Sequence, residues 1–407
     1  MSFGQGLSGL NAASQNLDVI GNNIANSGTV GFKAAHATFA DVYANSRVGL
    51  GVQVASINQR FSVGTITGTG NQFDMAVDGP KGMFRVQDTS GNVLYTRNGQ
   101  FFADKDNYIV NAQGHRLTGY AAAGTDLVPI KVPVGNIAPA ATGTVTFKTN
   151  LDANSPAIDP ATLPFSITNP DTYTHSLPIA VYDSLGNSHQ LTQYFAKRAE
   201  TAGPPAASNW DVYYRHDGAQ LDSPNDAAPV KMVFNSAGVL TSTAAATLSM
   251  ADPGLPGAPA NALLITANYA GSTQFGGPFS PNFVQNGFPT GEYASMSIAP
   301  DGSIFANYTN GETQNVGTLA LVDFNNLHGL QPAGGNAWIE TSASGQPIVG
   351  RPGSNSLATI KGEAIEESNV DMSQELVNMI IAQRTYQANA QTIKTQDQVL
   401  QTLITMR

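Results

Sequence analysis

Six histidines, His36, His115, His175, His189, His216 and His328, are the side chains best suited to bind a metal or move protons near neutral pH. None is spaced i, i+3 or i+4 from another, the separation at which a helix presents two ligands to one ion, so isolated polar histidines are expected. HExxH, GxSxG and phosphate-loop motifs are absent from the chain. Asp104 and Asp106 open like a calcium loop, but Ile109 stands where an EF-hand requires Gly, and a solvated hairpin turn is expected instead. Gly4, Gly6 and Gly9 have the G-x-G-x-x-G spacing of a dinucleotide site. Only Met1 to Phe3 precede them, with no strand to lead into the turn, so these glycines are expected to loosen a first helical turn. With no Cys there is no thiolate metal site, disulfide or cysteine nucleophile. Carboxylates that meet only on folding keep a glycosidase formally open, but no local signature of an enzyme exists. The expectation is no catalytic residue, no cofactor and no metal.

The elements that would position such residues belong to a chain of 407 residues, long enough for two or three domains. Charged residues are 12%, against a usual share of about 25%, while 41 Gly and 23 Pro mark a turn-rich, β-rich chain. A net charge of −10 without basic clusters excludes nucleic acid and anionic membranes as partners. There is no transmembrane run, and the opening residues lack the basic and apolar regions of a cleavable signal, which alone would place the chain in the cytoplasm.

Met372 to Met406 reads as one long helix. Steps of four and three give Met372, Leu376, Met379, Gln383, Tyr386, Ala390, Ile393, Asp397, Leu400 and Ile404, a heptad seam with two polar interruptions. At ~1.5 Å per residue it would be roughly 50 Å long and calls for a long partner. Asp371 is the expected N-cap, with Gln374 three residues on and Glu363, Glu366, Glu367 and Glu375 clustered at the positive end of the helix dipole. Phe3, Leu7, Leu10, Ser14, Leu17, Gly21 and Ile24 repeat the spacing, so Ser2 to Ala25 reads as a second amphipathic helix. The two stripes can pack on each other, on other subunits, or on both. The polar face of the last helix carries Gln387, Gln391, Gln396, Gln398 and Gln401 but few charges, a surface that identical copies can share without repulsion. A generally charge-poor composition accounts for part of this.

Between the helices, NSGTVGFK at 26 to 33 is a helix stop, and 34 to 70 has little period and reads as a connector. Residues 71 to 149 show short β runs, Met83 to Val86, Val93 to Tyr95, Phe101 and Phe102, and Tyr108 to Val110, with turns at Gly91-Asn92 and Asn98-Gly99. From 150 to 283, alternation at Leu177, Ile179 and Val181, at Trp210, Val212 and Tyr214, and at Val230, Met232 and Phe234 indicates a second β domain with long loops such as Asp252 to Ala260. Hairpins around Asp301-Gly302 and Asn310-Gly311 resume the first. The expected fold is mainly β with terminal α-helices. Its domains are nested and discontinuous: helices 1–25 and 371–407 as a coiled-coil pair, connector 26–70 and 355–370, inner β domain 71–149 and 284–354, and inserted outer β domain 150–283.

NNIANSGTVGFK at 22 to 33, FDMAVDGPKGMF at 73 to 84, LYTRNGQF at 94 to 101, VYDSLGNSHQLTQYF at 181 to 195 and SNVDMSQELVNMIIAQRTYQANAQTIKTQDQ at 368 to 398 resemble the bacterial flagellar rod and hook proteins. The insert with VYDSLGNSHQLTQYF is similar to the hook members. The resemblance implies a homopolymer, a hollow flexible tube that passes torque from rod to filament, with terminal helices inside and the insert outside. It implies rod, hook-cap and hook-filament junction proteins and the flagellar export apparatus as partners, and export to the extracellular flagellum without a cleaved signal, overturning the cytoplasmic default. It singles out Asn26, Gly31, Phe32 and Lys33 as family motif residues, beside the apolar positions of the two helices as assembly residues. Two other readings remain open: a distal rod subunit, and an exported β-rich adhesin or glycan-binding module.

Overall fold

The computed structural model describes residues 3–42, 49–201, 206–217, 229–242, 245–250 and 260–405. The chain is mainly β, with helix α1 at Phe3–Ala25 and helix α2 at Met372–Thr405. It divides into two units, each assembled from separated stretches: Met1–Val134 with Ala294–Asn307 and Thr313–Arg407, and Gly135–Tyr293 with Tyr308–Glu312. By contacts the break falls at 134/135, and strand Thr144–Phe147 joins strands Leu263–Asn268 and Phe283–Gln285 in one sheet of the second unit.

In the first unit, α2 starts as its sequence requires. Asp371 Oδ1 accepts from the N–H groups of Ser373 at 2.9 Å and Gln374 at 3.1 Å. Gln374 does not close a capping box; its amide donates to Asn378 at 3.1 Å. The expected acidic cluster is dispersed. Only Glu375 lies in the first turn, whereas Glu366 is buried in strand Ala364–Glu366 and Glu367 accepts a bond from Thr67.

The stretch expected to be a plain connector folds. Ala35–Val42 and Gly51–Gln59 pair antiparallel, with a register shift between Thr38 and Phe39 that breaks the alternation a sequence reader looks for. This hairpin is tied to α1: the Asn23 side chain donates to the Ala35 carbonyl at 2.7 Å and accepts from its N–H at 2.9 Å. Gln5 donates to the Gly49 carbonyl at 2.6 Å. Farther on, Ile66–Gly68 pairs with Ala364–Glu366 and Met75–Asp78 with Thr359–Gly362, so the N- and C-terminal arms are stitched together strand by strand.

The main sheet of this unit centres on Met83–Gln87, paired with Val93–Thr96 on one side and Arg116–Ala121 on the other. Met83, Tyr95, Val322, Phe324 and Trp338 make one buried cluster. Asn98-Gly99 does not close a hairpin as expected, since Val93–Thr96 pairs instead with Ala337–Ile339. Gly99 is there because the Met75 carbonyl occupies the space a Cβ would need, and Met75 N–H donates to the Gly99 carbonyl at 3.0 Å. At Asp104, one carboxylate oxygen accepts from the N–H groups of Asp106 and Tyr108, both at 2.8 Å, making a side-chain-closed turn.

The second unit packs an antiparallel meander, His175–Tyr182, Ser188–Thr201, Ala207–His216 and Val230–Asn235, against the sheet that holds Thr144–Phe147. Leu177, Ile179, Val181, Trp210, Val212, Tyr214, Met232 and Phe234 alternate into a shared core with Phe147, Ile265 and Tyr269, as their period-two spacing requires. The Asp252 to Ala260 loop lies, except for Ala260, outside the described residues.

Candidate functional site

The helices α1 and α2 pack antiparallel, with only part of their heptad stripes, such as Ile393, turned toward the contact. The buried face of α1 is Gly6, Ala12, Ala13, Val19, Ile20 and Asn23, and among the described residues of α2 Ala382 is buried. A Cβ added to Gly6 would meet Ile393 at 3.1 Å, and one on Gly9 would meet the Asn389 side chain at 2.8 Å. Gly6 and Gly9 therefore let the helix backbones approach closely, a role different from the loosened first turn expected of them. Small residues make a tighter contact than two rows of Leu could.

The large apolar residues consequently stand on the outside. Phe3 and Leu7 of α1, and Met372, Leu376, Val377, Ile380, Tyr386, Val399, Leu400 and Ile404 of α2, are exposed. Leu376 is 47% exposed, Leu400 52% and Ile404 74%. Leu10, Leu17, Ile24, Met379 and Ile393 are half-buried. A groove of about 570 Å³ opens between α1, the Ala35–Val42 hairpin and α2, lined by Ala12, Val19, Phe39, Val52, Ile381 and Ala382 among others. Gln383 and Asp397 are both exposed, and Asp397 accepts from Gln401 at 3.0 Å.

The motif residues do something else: they clamp the arms to the first β unit. Asn26 organises the turn after α1, its Oδ1 accepting from the Thr29 hydroxyl at 3.1 Å. Gly31, at φ +70°, donates its N–H to the Glu366 carbonyl at 2.7 Å, and a Cβ there would sit 2.6 Å from the Asn98 nitrogen. Phe32 is buried. Lys33 is buried completely, its Nζ 2.5 Å from Glu366 Oε1 and 2.8 Å from the Ser62 carbonyl. Arg97 Nη1 meets the other Glu366 oxygen at 3.1 Å, and its Nη2 donates to the Pro80 carbonyl at 2.9 Å. Burial lowers the pKa of the Lys33 ammonium, and the adjacent Glu366 carboxylate opposes that shift. Three of the separate sequence motifs thus converge on one buried charge cluster. From sequence, Arg97 is not singled out and Glu366 is read only as a member of the acidic cluster at the start of α2; the available signal was a lone Lys and a lone Arg inside apolar motifs of a charge-poor chain.

Among the described residues, no helix is long and apolar enough to cross a membrane. The chain matches the models for the flagella basal body rod protein over residues 5–33, the flagellar hook protein FlgE/F/G D1 domain over 76–149, the flagellar basal body protein FlaE D2 domain over 150–288, and the flagellar basal body rod FlgEFG protein C-terminal over 361–406. It is 41% identical to the flagellar hook protein FlgE of Salmonella typhimurium over the full length of both chains. The Escherichia coli protein of that name is 42% identical, again over both full lengths. That of Borreliella burgdorferi is 30% identical, over all of this chain and 99% of its own. The crystal structure of Helicobacter pylori flagellar hook protein FlgE2 shares the fold, with a TM-score of 0.55 at 15% identity, covering 74% of this chain and 99% of that one. The chain belongs to the flagellar hook protein FlgE family, a family of structural proteins and not of enzymes.

Proposed function

We propose that this chain is the subunit that polymerises into the flagellar hook, the hollow flexible joint carrying torque from rod to filament, and that α1 and α2 drive its assembly. The observation that carries this reading is the exposed apolar side of both helices in a chain whose intramolecular helix contact is already satisfied by small residues. Apolar rows of that length on a monomer are unstable in water and call for a partner of similar length. A further copy of the same chain fits, because the neutral amide face of α2 generates no self-repulsion. In the tube the helices line the inside. Few directional ion pairs would have to break as neighbours slide during bending.

The rod, the hook cap and the hook-filament junction are its neighbours in the flagellum, and the chain reaches the cell exterior through the export apparatus without cleavage. Electron microscopy of the purified full chain, concentrated in ammonium sulfate to strengthen apolar burial, tests the reading. Curved hollow tubes are expected. Straight tubes would assign the chain to the rod, and saturable glycan binding without any polymer would assign it to an adhesin. Deleting residues 372–407 is expected to leave folded β units that stay monomeric.

A further inference from the structure

Two histidines that sequence spacing marks as isolated meet at one end of the meander in the second unit. Strand Ser188–Thr201 pairs antiparallel with Ala207–His216 so that Leu191 stands opposite His216. His189 thereby reaches His216, with ring centroids 4.9 Å apart. A helix-based ligand rule misses the pair because strand register, not i, i+4 spacing, joins them. Asp217, at φ +46°, follows at once. Its Oδ2 lies 2.9 Å from His189 Nδ1 and 3.4 Å from His216 Nε2. Its Oδ1 is fixed by the Gln190 N–H at 2.7 Å. On the far side of the ring, His189 Nε2 faces Asp183 Oδ2 at 3.4 Å. Asp183 is fully buried and held by the N–H groups of Leu185 and Asn187, each at 2.8 Å, and by the Asn187 amide at 2.9 Å.

The proton inventory of this cluster is informative. If His189 Nε2–H donates to Asp183, then Nδ1 carries a lone pair aimed at a carboxylate oxygen 2.9 Å away. Two acceptors at that distance repel unless a proton or a cation lies between them. Two carboxylates also flank two imidazoles in a partly buried place, and among the described residues the ion pairs of these carboxylates are to the histidines. The ligand atoms of His189, His216 and Asp217 lie within 4.8 Å of one another. Donors on one zinc ion at about 2.0–2.2 Å sit roughly 3.3–3.6 Å apart, so small side-chain shifts suffice.

We propose that His189 Nδ1, His216 Nε2 and a carboxylate oxygen of Asp217 bind a divalent transition-metal cation of the zinc class. Asp183 is the positioning residue, turning His189 through its Nε2–H, the arrangement by which a carboxylate commonly orients a metal-bound imidazole. Two imidazoles and one carboxylate favour zinc-class ions over magnesium or calcium, which prefer oxygen alone. Two of the three ligand residues, His189 and Asp217, also line a cleft of about 410 Å³, and water is the expected fourth ligand.

The test uses the full chain stripped with EDTA and titrated with zinc by calorimetry at neutral pH. One zinc per chain is expected. His216→Ala and Asp217→Asn should each weaken binding at least about tenfold, and Asp183→Asn by about 10–100-fold although it touches no metal. Cobalt substituted for zinc should give the intense visible bands of a four-coordinate site. Selective labelling of the six histidines keeps the test independent of variant folding: zinc should move the imidazole signals of two of them in the wild-type chain. Absence of zinc binding at millimolar concentration, unchanged binding in a H216A/D217N variant, or movement of a different pair of histidines would each overturn the proposal. The cluster would then be a metal-free His–Asp hydrogen-bond network.

Discussion

Lys33 Nζ and Glu366 Oε1 lie 2.5 Å apart with both side chains fully buried, joining positions separated by 333 residues. Arg97 shares the same carboxylate, so the cluster holds two cations and one anion. Such an arrangement is weak evidence for net stability, since desolvation opposes the Coulomb gain, but it is costly to leave half-made.

Removing the anion and removing one cation are therefore predicted to differ. Glu366→Gln removes the carboxylate that both buried cations contact, leaving Arg97 only the more distant Asp323, and is expected to cost about 3–5 kcal/mol. Lys33→Met leaves a neutral Arg97–Glu366 pair, with the Ser62 carbonyl still accepting from the Asn369 amide at 3.1 Å and Glu366 Oε1 from the Gly64 N–H at 2.9 Å, and is expected to cost less, about 1–3 kcal/mol. Urea denaturation of the two variants measures the order. An equal loss would show that the surplus positive charge is not what matters.

Gly31→Ala is expected to destabilise the first unit by at least about 1–2 kcal/mol, because an L side chain resists φ +70° and the new Cβ would press on the Asn98 nitrogen. Gly28, where a Cβ meets nothing within 4 Å, supplies the control. Thermal melting of Gly28→Ala should match the parent chain while Gly31→Ala melts lower.

Leu376→Glu combined with Leu400→Glu should change monomer stability by no more than about 0.5 kcal/mol per site, since both side chains are exposed in the single chain. Polymer should nevertheless be lost. Sedimentation and electron microscopy under assembling conditions would read this, and tubes of normal yield would remove these residues from the assembly surface.

Alkaline pH should unfold the second unit. Burial pushes the Tyr214 and Tyr269 phenols, which share a 2.7 Å hydrogen bond, above their ordinary value near 10. The folded state thus keeps protons that the unfolded chain releases, so stability is full below about pH 10 and falls as pH rises above it. Absorbance at phenolate wavelengths followed against circular dichroism would check this. These two tyrosines should ionise only together with loss of the β signal.

What could be read from the residues was whatever repeats locally. The α1 and α2 boundaries followed from period and from the Asp371 cap, and Leu177, Ile179 and Val181 faced inward as alternation demands. What escaped depended on partners distant in sequence. The register shift at Thr38/Phe39 hid the Ala35–Val42 hairpin, and Gly99 looked like a turn residue although its reason is the Met75 carbonyl. The heptad stripes were legible as apolar rows. Which neighbour they face was not, because Gly6, Gly9 and Ala13 offer α2 a closer contact than any row of Leu.

The pairing of Ile66–Gly68 with Ala364–Glu366 also fixes an order in time. A chain synthesised from its N-terminus has the whole of Gly135–Tyr293 in hand, with the Tyr308–Glu312 tip soon after, before residues 359–366 are made. Loop-closure entropy opposes so distant a contact until its partner exists, and contacts of large sequence separation form slowly even then. The two strand pairs that join the arms of the first unit are thus expected to close last, when residues 359–366 are supplied.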